Sequence, residues 1–273
     1  MAAEINFMPE LPEVEAICQK ISPEITGRTI KVVHVLRPLV TRPQTAADVA
    51  RLVTGRKIRS VRRRGKNIVI DLSGGVAIRI HLRMTGHLEA SGAVTPSTRA
   101  WFELGRNRAL LFNDTRALGR LNVHSSVELE KLLAPLGPEP LSPEFTPERL
   151  VEEARGSRQP AKLFLMDQKN VAGLGNIYAA EALFRARINP VKPAGSLSRT
   201  KLRELHGAIV SVLREALKSA KIAYNQPGRH LETEEFVPAV YDREGERCRI
   251  CGRPIRRIEQ GGRSTYYCPN CQR

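Results

Sequence analysis

Four of the five cysteines in this 273-residue chain stand in two C-x-x-C pairs, Cys248/Cys251 and Cys268/Cys271, with 16 residues between the pairs. Two tight turns joined by a hairpin bring such pairs around one tetrahedral metal, and Zn(2+) is the ion this ligand set suits. All four ligands are sulfur, so no position stays open for water. One structural zinc ion would fold the segment rather than catalyse. A redox dithiol pair is the competing chemistry, but the motifs lack the βαβ context that it requires. The intervening stretch, RPIRRIEQGGR, is basic, and Arg263 follows Gly261-Gly262 where the hairpin would turn. There it is either a solvated turn arginine or a side chain presented to phosphate. Cys18, the fifth cysteine, falls on the apolar stripe of a predicted helix and reads as an inert core residue.

The partner is written in the charge. Forty-four Lys and Arg face 28 Asp and Glu, a formal net charge of +16, which repels itself unless a polyanion binds. Nucleic acid is the first candidate. Residues 51–66, RLVTGRKIRSVRRRGK, hold eight basic and no acidic side chains. In a strand several would share one face and grip a phosphate backbone, or the run is simply a solvated face. No apolar run approaches 18 residues and no signal segment opens the chain, so a soluble cytoplasmic protein without a membrane partner is expected.

The elements that position these residues follow from periodicity. Pro12 opens Glu13–Ile25, where Val14, Ile17, Cys18, Ile21 and Ile25 recur at helical spacing. From Thr29 to about Val123 short β-branched runs separated by turns (TIKVVHVL, KIRSVRRR, KNIVIDL, VAIRIHL, ALLFN) predict an antiparallel sandwich or barrel. Residues 135–147 are proline-rich and read as a linker. Residues 147–220 then show helical periodicity, with segments around 161–168, 176–187 and 198–219, and a helical domain is placed at 148–239. A zinc module fills 240–273. The predicted class is α+β multidomain: an amino-terminal helix with a β-sandwich over 9–134, a helical domain and a zinc ribbon.

At the amino end, Met8-Pro9-Glu10-Leu11-Pro12-Glu13-Val14-Glu15 places two prolines and three acids before a helix. Alone, it is a helix start. Taken with Lys66 in RRRGKN, VAGLGNIYAAEALF at 171–184 and the cysteine pairs, it resembles the formamidopyrimidine-DNA glycosylase and endonuclease VIII family of base-excision repair enzymes. The resemblance runs over almost the whole chain from Pro9 and favours the formamidopyrimidine branch, since endonuclease VIII usually begins PEGPE.

The resemblance implies a helix-two-turn-helix fold for the helical domain and a set of roles. Pro9 would be the nucleophile, Glu10 the proton-handling acid and Lys66 a phosphate contact that assists. Arg263 would hold phosphate from the zinc hairpin and help the second elimination. Met84 in HLRMTGHL and Arg116 in NDTRALGR match two of three residues that fill the gap left by an extruded base, a buried core residue being the alternative for Met84. The third is Leu118, where the family has phenylalanine in DPRRFG; Thr115 and Ala117 depart from that motif too. Arg158 and Lys162 resemble further phosphate contacts, Arg99 stands where a DNA-contacting histidine is usual, and Asn176 with Gly173 and Gly175 opens the phosphate-binding turn.

The implied activity is excision of oxidised bases, formamidopyrimidines foremost, from damaged double-stranded DNA, followed by β,δ-elimination through a Schiff base. No nucleotide cofactor and a monomer are expected. KIAYNQPGRHLETEEF at 221–236 is shorter than and altered from the family's loop over 8-oxoguanine, which leaves that lesion open. Eight residues precede Pro9, and an acylated proline has no amine. The expectation is that residues 1–8 are a mis-assigned leader and that translation begins at Met8. The alternatives are a catalytically inactive lesion- or bent-DNA-binding protein of the same fold and an RNA-binding zinc-ribbon protein.

Overall fold

A computed structural model describes residues 8–225 and 236–273. It divides into two compact units, one of residues 1–135 and 220–232, the other of residues 136–219 and 233–273.

The first unit opens with helix α1 (Leu11–Ile25), carrying Pro12 in its first turn. Leu11, Val14, Ile17, Cys18, Ile21 and Ile25 form its buried stripe. Burial and then the charge of Glu15 push the Cys18 thiol up to about 12, so the core assignment of this cysteine holds and it stays protonated. Next come β1 (Val32–Val35), α2 (Ala46–Val53), β2 (Ile58–Arg64), β3 (Asn67–Leu72), β4 (Val76–His81), β5 (Gly86–Ala90), β6 (Thr98–Gly105), β7 (Arg108–Asp114), β8 (Arg120–Ser125) and α3 (Ser126–Leu133). The strands make two four-stranded sheets, ordered β1-β6-β7-β5 and β2-β3-β4-β8, with every pairing antiparallel. Ile68, Ile70, Ile78, Ile80 and Leu121 fill one sheet and Phe102, Leu110 and Phe112 the other. Helix α1 packs on β5 of the first sheet and β2 of the second. That helix closes the body and fixes where Pro9 lies.

The second unit holds α4 (Pro147–Ala154), α5 (Ala161–Met166), α6 (Asn176–Arg185) and most of α7 (Arg199–Asn225), then β9 (Arg256–Gln260) and β10 (Arg263–Tyr267). From Ala220 the last turns of α7 belong to the first unit. Strands β9 and β10 pair from Gln260↔Arg263 to Arg256↔Tyr267. Their two-residue connection, Gly261-Gly262, has φ of 56° and 70°, the left-handed pair that a tight hairpin turn demands and that glycine adopts most readily. No described helix is long and apolar enough to cross a membrane.

The α+β expectation holds: a helix, two sheets, a helical region and a cysteine hairpin appear in that order. The segment 221–236 was expected to be loop throughout; its first five residues instead continue α7, and residues 226–235 lie outside the described residues.

Candidate active site and nucleic-acid interface

Pro9 is buried immediately ahead of α1, and Glu10 and Glu13 beside it are each only 1% exposed. The Glu10 N–H donates to Glu13 Oε2 at 2.8 Å, tying the first turn of the helix to the residue that follows Pro9. Carboxylates at a helix amino end are favoured by its dipole, which helps hold two buried acids there. Lys66 stands half-buried in the turn between β2 and β3, which pairs Arg64 with Asn67.

Around Lys66 the sheet gathers positive charge. Arg79 Nε donates to Asn67 Oδ1 at 2.8 Å, and the Arg83 N–H donates to His81 Nδ1 at 3.2 Å. Burial, then the charges of Arg83, Arg79 and Lys66, push His81 down to about 3. The ring is therefore neutral near pH 7. Because Nδ1 accepts the Arg83 N–H, Nε2 carries the ring's own N–H and is a donor. His81 was not singled out from the sequence, although it opens the HLRMTG segment. A lone histidine gives no sign of its neighbours.

Three sequence-predicted DNA contacts come together on two turns. Met84 is half-buried in the turn between β4 and β5, which is closed by Gly86 N–H to Leu82 O at 3.1 Å. Arg116 is exposed in the turn after β7, with Leu118 two residues on and 40% exposed. The fully buried carboxylate of Asp114 links the turns. Its Oδ2 accepts the Gly119 N–H at 2.7 Å, and its Oδ1 accepts the Arg116 N–H at 3.2 Å and the Thr85 hydroxyl. Thr85 Oγ1 also accepts the Arg116 N–H at 3.2 Å. A substituent on Gly119 would meet Phe112 Cζ at 2.5 Å, so the second turn passes against the core with no room for a side chain. Asp114 and Thr85 were missed because a buried positioning acid is indistinguishable in sequence from a surface turn residue.

Two expected DNA contacts are turned inward. Arg99 is 8% exposed, and its guanidinium donates to the carbonyls of Asp114 (2.5 Å), Pro96 (2.9 Å) and Thr115 (3.0 Å). Its donors are committed to holding the Arg116 turn, which corrects the DNA-contact assignment. Lys162 on α5 is 0% exposed; its ammonium donates to Ser264 O at 2.8 Å and Thr265 Oγ1 at 2.6 Å. A charge this deep must be paired, so Lys162 is a strut between α5 and β10 and not a phosphate contact. The basic run over 51–66 is likewise divided. Arg63 pairs with Glu15 of α1 at 2.8 Å, and Arg62 pairs with Asp71 at 2.9 Å and with Glu130 at 3.0 Å. Alternation along β2 sends these side chains to opposite faces, leaving Lys57 and Arg59 exposed.

In the second unit, Arg158 is exposed ahead of α5. Asn176 is the first residue of α6, after the Gly175 cap, and its Nδ2 reaches Tyr241 Oη at 3.5 Å. Glu181, farther along the same helix, accepts the N–H groups of Ala239, Val240 and Tyr241 at 2.8, 2.9 and 2.9 Å. These bonds fasten the entry to the cysteine module onto α6. Ala180 and Phe184 of α6 complete the attachment by packing with Val240, Ile255, Tyr266 and the buried Cys248 and Cys268. Arg263 stays exposed at the first position of β10.

The cysteine sulfurs lie within 4.8 Å of one another. Cys248 and Cys271 Sγ are 3.9 Å apart and Cys251 and Cys268 Sγ 3.5 Å. A tetrahedron with Zn–S of about 2.3 Å has edges of about 3.8 Å, so the residues fit one zinc ion with no position left for water. The hydrogen bond to the Arg253 backbone draws the Cys251 thiol down to about 6, whereas burial pushes Cys268 and Cys271 up.

Together these features define a zinc-hairpin protein with a helix-two-turn-helix unit. A family model for the formamidopyrimidine-DNA glycosylase N-terminal domain matches residues 8–121, one for the corresponding H2TH domain matches 136–227, and one for a zinc finger found in FPG and IleRS matches 245–273. The formamidopyrimidine-DNA glycosylase of Chloroflexus aurantiacus is 41% identical over 276 residues, covering 97% of this chain and 98% of that one. Among solved structures, the MutM (Fpg) protein of Thermus thermophilus is similar at 39% identity and a TM-score of 0.82, with 97% and 98% of the two chains covered. The Lactococcus lactis enzyme non-covalently bound to DNA containing an abasic site is similar at 29% identity and a TM-score of 0.85, covering 97% and 99%. The chain belongs to the formamidopyrimidine-DNA glycosylase family.

Proposed function

We propose that this protein is a bifunctional DNA glycosylase and abasic-site lyase that excises oxidised bases, formamidopyrimidines foremost, from double-stranded DNA. The observation that carries the reading is Pro9, held at the head of α1 beside the buried Glu10, in a chain of this family. A free proline α-amine has a pKa near ~8, so a useful fraction is unprotonated at neutral pH. Its nitrogen attacks C1′ of the damaged nucleotide, a C–N bond forms, and the bond to the base breaks with its electron pair leaving on the base. Glu10 supplies the proton that opens the sugar. The N–H proton of the attacking amine leaves with the departing base, and the nitrogen lone pair then expels O4′, which takes the Glu10 proton, so the intermediate is a cationic iminium that withdraws electrons from the sugar. Loss of the 2′ proton then expels the 3′ phosphate, and a second elimination expels the 5′ phosphate.

Chemistry at C1′ requires the nucleotide to leave the stack. Met84, Arg116 and Leu118 fill the vacated space, Arg116 facing the orphaned base. Lys66, with the neutral His81 as an N–H donor, holds the phosphate on the Pro9 side. Arg158, the Asn176 turn at the head of α6 and Arg263 on the zinc hairpin hold the backbone of the other unit's stretch. Zinc folds that hairpin and takes no part in the eliminations.

The nucleophilic role requires a free amine at Pro9. Mass spectrometry of active native protein should find a chain beginning at Pro9; an intact leader on active enzyme would refute the role. Borohydride trapping on an abasic-site duplex then tests the chemistry. Protein beginning at Pro9 should give a covalent adduct, and Pro9→Gly should abolish or greatly weaken it. Absence of an adduct with the unsubstituted enzyme favours the second reading, a binding protein of the same fold, which the departures at Thr115, Ala117 and Leu118 motivate.

A further inference from the structure

Strand β4 sends Ala77, Arg79 and His81 to one face of its sheet. Arg79 lies opposite Val69 of β3 and Asn122 of β8, with Arg62 of β2 beyond Val69 in the same row. The two arginines of this row are held in different ways. Arg62 is answered by Asp71 and Glu130, whereas Arg79, half-buried, has no carboxylate partner among the described residues. Arg79 Nε donates to Asn67 Oδ1 at 2.8 Å, and Asn67, 5% exposed, is held in turn by its Nδ2 bond to Arg64 O at 3.0 Å. That pair of bonds fixes the direction of the guanidinium. The remaining donors, on Nη1 and Nη2, have no partner among the described residues, and neither nitrogen is buried.

A solvated surface arginine swings freely, but this one is aimed by a buried asparagine and surrounded by no acid. Burial and then the charge of Arg83 lower its pKa, as for a cation that its own fold leaves uncompensated. His81, two residues and about 6–7 Å along the same face, presents its Nε2–H beside it. We infer that Arg79 forms a phosphate site of its own on this face, one backbone step beyond the phosphate held by Lys66 and His81, with its fork on two oxygens of a phosphodiester of bound duplex. The fork is pre-organised for that geometry, so little freedom is lost when the anion arrives. The identity of the anion rests on the DNA reading above.

Binding is measured without cleavage, on a duplex carrying a tetrahydrofuran abasic analogue. In Arg79→Gln the plot of log affinity against log salt should be shallower by about 0.9, one phosphate contact, or about eightfold in affinity per tenfold change in salt. A neutral methylphosphonate, moved one phosphate at a time along each strand, should weaken the parent at one position where Arg79→Gln is unaffected, since both changes remove the same contact. Arg79→Lys, which keeps the charge and loses the fork, should retain the parent's slope with weaker binding. An unchanged slope in Arg79→Gln overturns the inference. So does a methylphosphonate profile with the parent's shape at every position, which would make Arg79 structural only. A protein that passes these tests and fails to cleave a natural abasic site refutes the glycosylase–lyase reading and leaves the phosphate site standing; an unsubstituted protein that does not bind the duplex overturns both.

Discussion

Asp114→Asn is the sharpest available probe of how the turns that carry Met84 and Arg116 are held. The side chain is isosteric, but only one oxygen remains. The best orientation leaves that oxygen accepting the Thr85 hydroxyl and the Arg116 N–H, and points an NH2 group at the Gly119 N–H, which now lies 2.7 Å from the carboxylate. One charge-assisted bond is lost, worth about 1.5–3 kcal/mol, and a buried donor is orphaned, so the cost is about 3 kcal/mol. The only tryptophan, Trp101, lies in β6 of the same unit, so its fluorescence reports that unit alone. At about 2–4 °C per kcal/mol the midpoint should fall by about 6–12 °C. Affinity for a lesion-containing duplex should weaken at least tenfold, because Met84, Arg116 and Leu118 lose their shared anchor, while affinity for undamaged DNA changes little. Thr85→Val in the same background should cost less than it does alone, since both substitutions cut one network. A midpoint within about 1 °C of the parent, or strictly additive effects of the two substitutions, would show that Asp114 does not hold the turns.

The His81 ring should titrate far below the ordinary histidine range. Its folded pKa is pushed down to about 3, below the unfolded value near ~6.5, so the unfolded chain takes up a proton first as pH falls. The stabilising contribution is complete above ~6.5 and drains away toward pH 3; NMR should find the ring neutral from pH 5 to 8, and a midpoint near 6.5 would contradict the burial and the cationic surroundings. Chelating zinc should abolish DNA binding and activity while the Trp101 signal stays native, whereas blocking the Pro9 amine should stop cleavage and leave binding largely intact. Retained binding after full zinc removal, checked by metal analysis, would mean the hairpin does not need the ion.

What could be read from the sequence was periodic or clustered. The α1 stripe, the β2, β3 and β4 runs and the cysteine pairs announce themselves because each repeats a residue type at the spacing of its element. Strands β5, β6 and β8 were missed, β5 and β8 because polar residues interrupt their apolar pattern. Strand β6 carried a usable pattern, with Ala100, Phe102 and Leu104 buried against outward Trp101 and Glu103. The candidates Arg116, Leu118, Arg158 and Arg263 are exposed, as a contact role requires. The inward Arg99 and Lys162 mislead for one physical reason: a basic side chain looks the same in sequence whether its donors meet phosphate or a carbonyl of its own fold. Asp114, Thr85 and His81 escape notice because their meaning lies in partners from other strands.

The buried Lys162 carries a consequence for how such a chain can change over generations. Losing the ammonium alone strands the Ser264 carbonyl and the Thr265 hydroxyl; losing the hydroxyl alone strips a fully buried cation of one of its acceptors. A change that removes either group therefore has to be answered at the other position. The cysteine hairpin is thus no transplantable cassette, since part of the text that specifies its second strand is written on α5, a hundred residues earlier.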